Sequence, residues 1–203
     1  MEQYMKVLRT YGRMSAPLKQ ALQEGAQRLL LQTNDVIQAE GSSGDHFYFI
    51  EKGLVRAFDY VKQKEDTLWF KKENEFILQV KGLFDNPATS VIIEAVEDCT
   101  LWAFPADLVK RLSGEFLEFN YHVMNMVMED LVSTDKRIKL ERFTLASDKY
   151  DWFRQHSPDV MDRAPAKYLA SFIGISEKEF RHLQQSKMKL HLPKRSYKKH
   201  KDS

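Results

Sequence analysis

The chain has 203 residues, with 31 Lys+Arg against 29 Asp+Glu, 43% hydrophobic residues and a single cysteine. That composition predicts a packed core rather than a disordered chain, and lone Cys99 excludes an internal disulfide and a cysteine-held iron–sulfur cluster. No apolar run reaches the roughly 18 residues of a membrane helix, and "MEQYMKVLRTYG" lacks a signal peptide's apolar stretch, so a soluble cytoplasmic protein with no membrane partner is expected.

The small net charge of +2 hides an asymmetry. Residues 148–203 carry 13 Lys+Arg and 7 Asp+Glu, whereas residues 1–147 carry 18 and 22. A basic C-terminal segment behind an acidic body suggests a polyanionic partner.

Residues 1–33 read as helical, with Leu18, Leu22, Ala26, Leu29 and Leu30 at helical spacing and a start near Met14–Pro17. From about Thr33 the period becomes that of strands. "HFYFIEKGLVRAFDY" predicts two strands around a turn at Glu51-Lys52-Gly53, with Gly53 free to take a positive φ. "DTLWFKK" and "SVIIEAVEDCTLWAFP" are further strand runs, rich in β-branched and aromatic residues. Short strands at this spacing predict an antiparallel sandwich or jelly roll over roughly residues 33–105.

Helix returns at Pro105, placed in a first turn where its fixed φ is favourable. A long helix is predicted from about Glu115 to Leu145, about 45 Å at 1.5 Å per residue. Leu117, Met124, Leu131, Ile138 and Leu145 recur every seven residues along it, and this heptad period predicts packing along a partner helix, a second copy of the chain being favoured over the core of one domain. A short helix over 148–156 ends at Ser157-Pro158.

"AKYLASFIGISEKEFRHLQQ" (166–185) meets the demands of a helix–turn–helix. Pro165 starts the first helix, Ala170 is the small residue at the crossing, Gly174 supplies the turn, Ile175 plugs it and Ser176 caps the second helix. Phe180 and Leu183 face Leu169 and Ile173. The outward face then carries Glu177, Lys178, Arg181, His182 and Gln185, side chains suited to base edges and phosphates. These residues with Ser176 are the candidate DNA-binding set. The alternative is a helical hairpin with a solvated charged face.

The order of elements resembles that of the Crp/Fnr transcription regulators, with "FYFIEKGLVRAFDY" and "YLASFIGISEKEFRHL" as the most specific carriers. The resemblance implies an α+β chain in three parts. These are an N-terminal helix and cyclic-nucleotide-binding-like β-roll (1–114), a dimerisation helix (115–147) with Leu117, Met124, Leu131 and Ile138 at its interface, and a helix–turn–helix domain with a basic tail (148–203). It implies double-stranded DNA with a pseudo-palindromic site, a second copy of the chain, RNA polymerase and a small-molecule effector as partners.

Two departures from the family pattern bear on function. Cyclic-AMP-binding members carry a Gly-Glu and an Arg-Ser in the phosphate cassette; here Leu78, Gln79 and Thr89 replace the first three and Ser90 is kept. Without the arginine the phosphate loses its bidentate partner. The effector pocket, expected at Leu78, Gln79, Lys81, Thr89 and Ser90, is therefore not expected to take cyclic AMP. Family members also follow the recognition helix with a β-hairpin wing, for which "SKMKLHLPKRSYKKHKDS" offers only a stub around Met188–Leu192. No cofactor, metal site or enzymatic activity is expected: the six histidines include no His-x-His pair, and no P-loop or nucleophile elbow occurs. A sensing or protein-interaction module that does not bind DNA, and more distantly a cupin-like enzyme, are the rival readings.

Overall fold

The computed structural model describes residues 2–78 and 89–191, with side chains through residue 187. Two helices, α1 (Gln3–Tyr11) and α2 (Ala16–Gly25), precede eight strands. Ser15 caps α2, accepting from the Leu18 amide at 3.4 Å. Strands β1 (Gln27–Leu31), β8 (Cys99–Pro105), β3 (His46–Lys52) and β6 (Phe76–Ile77) form one antiparallel sheet in that order. Strands β2 (Val36–Gln38), β7 (Ile92–Ala95), β4 (Val55–Val61) and β5 (Lys64–Lys71) form the other. This is the antiparallel roll the strand pattern predicts. Ile50, Val55, Ala57, Ile77, Ile93 and Leu101 fill the space between the sheets. Gly53 joins β3 to β4 at φ 105°, where a Cβ would lie 2.4 Å from Cys99 Sγ and 2.9 Å from the Asp98 carbonyl, so both conformation and space demand glycine.

The roll begins earlier than expected. Leu29 and Leu30 sit on β1, not on a helix, with Leu29 opposite Leu101 and Leu30 opposite Thr100. Their helical spacing is overridden by pairing with β8. Pro105 is the last residue of β8 and the cap of the next helix rather than a first-turn residue.

Helix α3 (Ala106–Glu115) leads through Phe116 into the long helix α4 (Leu117–Glu141), about 37 Å at 1.5 Å per residue. The expected end at Leu145 is too late. Arg142 closes the helix, and Leu145 caps α5 (Ala146–His156) instead. Helices α6 (Pro158–Arg163), α7 (Ala166–Ile173) and α8 (Glu177–His191) follow. Since α8 is helical through His191, it displaces the strand stub expected from Met188; Leu192 and the basic tail lie outside the described residues.

Two further apolar clusters flank the sandwich. On one side Tyr4, Met5 and Leu8 pack with Phe47, Phe104 and, from α4, Phe119 and Met126. On the other, Leu54 and Val96 of the roll join Leu140, Phe153, Leu169 and Phe180 in one continuous core. The C-terminal helices are thus seated on the roll through shared apolar burial.

Candidate nucleic-acid interface and effector region

The turn between α7 and α8 is built as its sequence requires. Gly174 takes φ 70° and ψ 43°, the left-handed conformation, and its amide bonds back to Ala170 and Ser171. The Ile175 amide donates to the Ala170 carbonyl at 3.0 Å, and Ser176 Oγ accepts from the Glu179 amide at 3.2 Å. Phe180 is fully buried, 5.3 Å from the Tyr150 ring centroid, and packs with Leu169, Ala170 and Ile173. Leu183 is partly buried against the same cluster.

With Phe180 inward, Glu177, Lys178, Arg181, His182 and Gln185 all stand exposed, and these five line one shallow open concavity along α8. Four can donate hydrogen bonds and one carries a carboxylate acceptor, a mixture matched to base edges and phosphates. Glu177 Oε1 accepts from Arg181 Nε at 2.9 Å and Nη2 at 2.7 Å, which draws the guanidinium along the helix and leaves Nη1 outside this pair. Lys187 pairs with Asp151 at 2.5 Å, fastening α8 to α5.

The seat of this unit on the roll is polar as well as apolar. Arg56, on the outer face of β4, is 2% exposed. It donates to Glu94 at 2.6 Å and Glu65 at 2.8 Å, and its guanidinium lies 3.4 Å from the centroid of the Tyr168 ring of α7. Ser171 Oγ donates to the Glu65 carbonyl at 3.0 Å and accepts from the Thr67 amide at 2.8 Å. Arg163 bridges Glu73 and Glu97, Lys167 reaches Glu65, and Lys72 pairs with Asp159. Burial pushes the Glu73 carboxyl up, but bonds from Arg163 and the Gly53 amide outweigh it and hold it below its ordinary value. Glu65 behaves alike, burial being outweighed by Arg56 and Lys167.

The described members of the expected effector set, Leu78, Thr89 and Ser90, have different surroundings. Leu78 is buried in the core cluster and lines a cavity between the roll and the later helices. Thr89 and Ser90 lie elsewhere: Thr89 exchanges backbone bonds with Gly41 and Ser42, and Ser90 Oγ donates to Asp59 at 2.7 Å. The Ser90 hydroxyl is thus committed to a carboxylate. Gln79 and Lys81 lie outside the described residues. Sequence reasoning missed Arg56 and its partners; a lone arginine in the apolar strand run "GLVRAF" was the one available signal.

Leu117, Met124, Leu131 and Ile138 are all exposed, Leu117 at 78% and Leu131 at 57%, and Tyr121 and Met128 extend the same uncovered stripe. No described helix is long and apolar enough to cross a membrane, and no group of three His, Cys, Asp or Glu among the described residues could hold a metal.

Residues 28–115 match the family profile described as cyclic nucleotide-binding domain. No curated protein matches the chain in sequence. Solved structures do match its fold. FixK2 from Bradyrhizobium japonicum has a TM-score of 0.70 at 12% identity, covering 81% of this chain and 85% of that one. A Eubacterium rectale protein described as a putative regulator of the Crp/Fnr family gives 0.71 at 12%, with 87% and 85% covered. The c-di-GMP-responsive regulator CLP of Xanthomonas campestris gives 0.67 at 15%, with 86% and 92% covered. Residues 28–115 are thus similar to the cyclic nucleotide-binding domain, and the chain around them has the fold seen in solved structures of Crp/Fnr regulators.

Proposed function

We propose that the protein is a homodimeric, sequence-specific DNA-binding transcription regulator that responds to an effector other than cyclic AMP. The observation that carries this reading is the exposed row Glu177, Lys178, Arg181, His182 and Gln185 on a helix locked by Gly174, Ser176 and Phe180. Paired through α4, two such units would occupy successive major grooves about 34 Å apart on a pseudo-palindromic site. Contact with RNA polymerase would follow from where that site lies. The cassette argues against cyclic AMP: Leu78 is spent on the core and Ser90 on Asp59, whose charge would repel a phosphate.

Recovery of genomic fragments bound by the protein should yield one symmetric motif. Arg181→Ala should weaken that duplex by about 1–3 kcal/mol while changing scrambled DNA little, as expected for a lost base contact. Equal loss on both duplexes would make Arg181 a phosphate clamp; no retention of DNA by the wild-type chain would overturn the reading. Calorimetry with cyclic AMP and cyclic GMP should give no saturable heat.

A further inference from the structure

A cavity of about 330 Å³ opens where β5, α4, α5 and α7 meet, within the size range of small-molecule sites. Five aromatic rings stand in its walls: Trp69 and Phe70 from β5, Trp152 and Phe153 from α5, and Phe172 from α7. The Phe172 ring is fixed from three directions. Phe70 lies 5.4 Å away edge-on, Phe153 5.0 Å away, and the Arg137 guanidinium 4.4 Å above its centroid. Flat, preordered walls of this kind select a flat ring system.

The polar groups are sorted by charge. The lining carboxylate, Asp130, is already paired with Lys71. Lys136 lines the same space and makes no ion pair among the described residues. His156 stacks on Trp152 at 4.1 Å and gives its Nδ1 hydrogen to the Trp152 carbonyl at 2.7 Å, leaving Nε2 available. Ser133 and Ser157 add hydroxyls at the same end. The uncommitted side is therefore cationic and hydroxylic, and no lining carboxylate is left to accept from ribose hydroxyls.

We propose that this cavity binds a small flat aromatic acid, its ring between Trp152 and Phe172 and its anionic group at Lys136, His156 and Ser133. The proposal supplies a ligand class for the effector of the regulator reading, and it rests on that reading only for the ligand's consequence. A molecule held there touches the roll, the long helix and the C-terminal unit at once, so its binding free energy adds to the seating of that unit on the roll.

The full-length protein can be titrated with 1-anilinonaphthalene-8-sulfonate, following energy transfer from tryptophan. One saturable site per chain is expected, displaced by 2-naphthoate and not by cyclic AMP. Lys136→Glu should weaken the probe about tenfold or more, the cost of losing a charged hydrogen bond. Ser133→Phe should block the cavity. Leu30→Asp, at an exposed position of β1 that lines neither the cavity nor the stripe of α4, should leave probe binding unchanged. Lys136 and Ser133 are both exposed, and circular dichroism would verify that the variants fold. Unchanged binding in both cavity variants, or displacement by cyclic AMP but not by naphthoate, overturns the proposal. Naphthoate binding without DNA retention would sink the regulator reading and leave the site standing. DNA retention with no probe binding would do the reverse.

Discussion

Arg56 shows how a single side chain sets the relation between the two ends of the chain. It sits on β4 between Val55 and Ala57, which face the sandwich interior, so the strand's period of two sends it outward. There it would be a solvated arginine if α7 did not cover it. Because Tyr168 does, the guanidinium is desolvated, and bonds to Glu94, Glu65 and Thr67, with the ring faces of Tyr168 and Phe58, offset that cost. Arg56→Leu would strand Glu94, itself 9% exposed, and should destabilise the fold by about 3–5 kcal/mol in urea titration. The double change Arg56→Leu with Glu94→Leu should recover much of that loss, because the stranded charge is removed with its partner. A single variant no less stable than wild type would mean that water enters this interface.

At the scale of elements, α4 has two apolar faces with different owners. Phe119 and Met126 are buried against the N-terminal helices and roll, whereas Leu117, Met124, Leu131 and Ile138 face outward uncovered. A single-chain helix has no use for the second stripe, but a paired helix does. Leu131→Asp should leave the monomer's stability almost unchanged, since Leu131 is 57% exposed, yet shift sedimentation from dimer to monomer. A wild-type chain that sediments as a monomer at micromolar concentration would refute the pairing. The stripe was legible because its signal is local: seven-residue spacing survives in the sequence whatever the tertiary context. Gly174 and Ser176 were legible for the same reason, each answering a demand set within one turn of its own helix, and Phe180 because its α7 partners lie just before it in the chain. Leu29 and Leu30 were misread because their partners on β8 lie far along the chain. The seat of α7 on β5 was invisible for that reason too, Thr67 and Ser171 being 104 residues apart.

Across the whole molecule, helices α5 to α8 share one apolar core with the roll, and ion pairs join α6 and α7 to it. Glu65, Glu73 and Asp159 all pair with cations across that junction, and each carboxyl is held below its ordinary value, 4.5 for the glutamates and 3.8 for the aspartate, although burial alone would raise it. Groups with depressed folded values stabilise the seated state above their unfolded values, and that contribution is lost as pH falls through the folded ones. Glu75, raised by burial, acts in the opposite sense, losing stability as pH rises. Three groups against one predict that the C-terminal unit loosens as pH falls below 4.5, seen as a rise in Trp152 solvent exposure by fluorescence quenching. Glu65→Gln with Glu73→Gln should flatten that transition. Near neutrality the seat is intact, and this constrains how DNA can be bound. A recognition helix on a flexible tether would tolerate varied half-site spacing. One packed through Phe153, Leu169 and Phe180 onto Leu54 and Val96 has its position set relative to α4. Pairing through α4 would then fix the distance and rotation between the two recognition helices. Half-sites should be bound as a pair at a centre-to-centre spacing of about 10 base pairs, one turn of the duplex. Inserting about 5 base pairs puts the second half-site on the opposite face and should reduce affinity to that of a single half-site, whereas inserting about 10 restores the face but not the distance. Titration of these three duplexes at one salt concentration would decide it: equal affinity for all three would mean that the C-terminal unit leaves its seat to bind DNA.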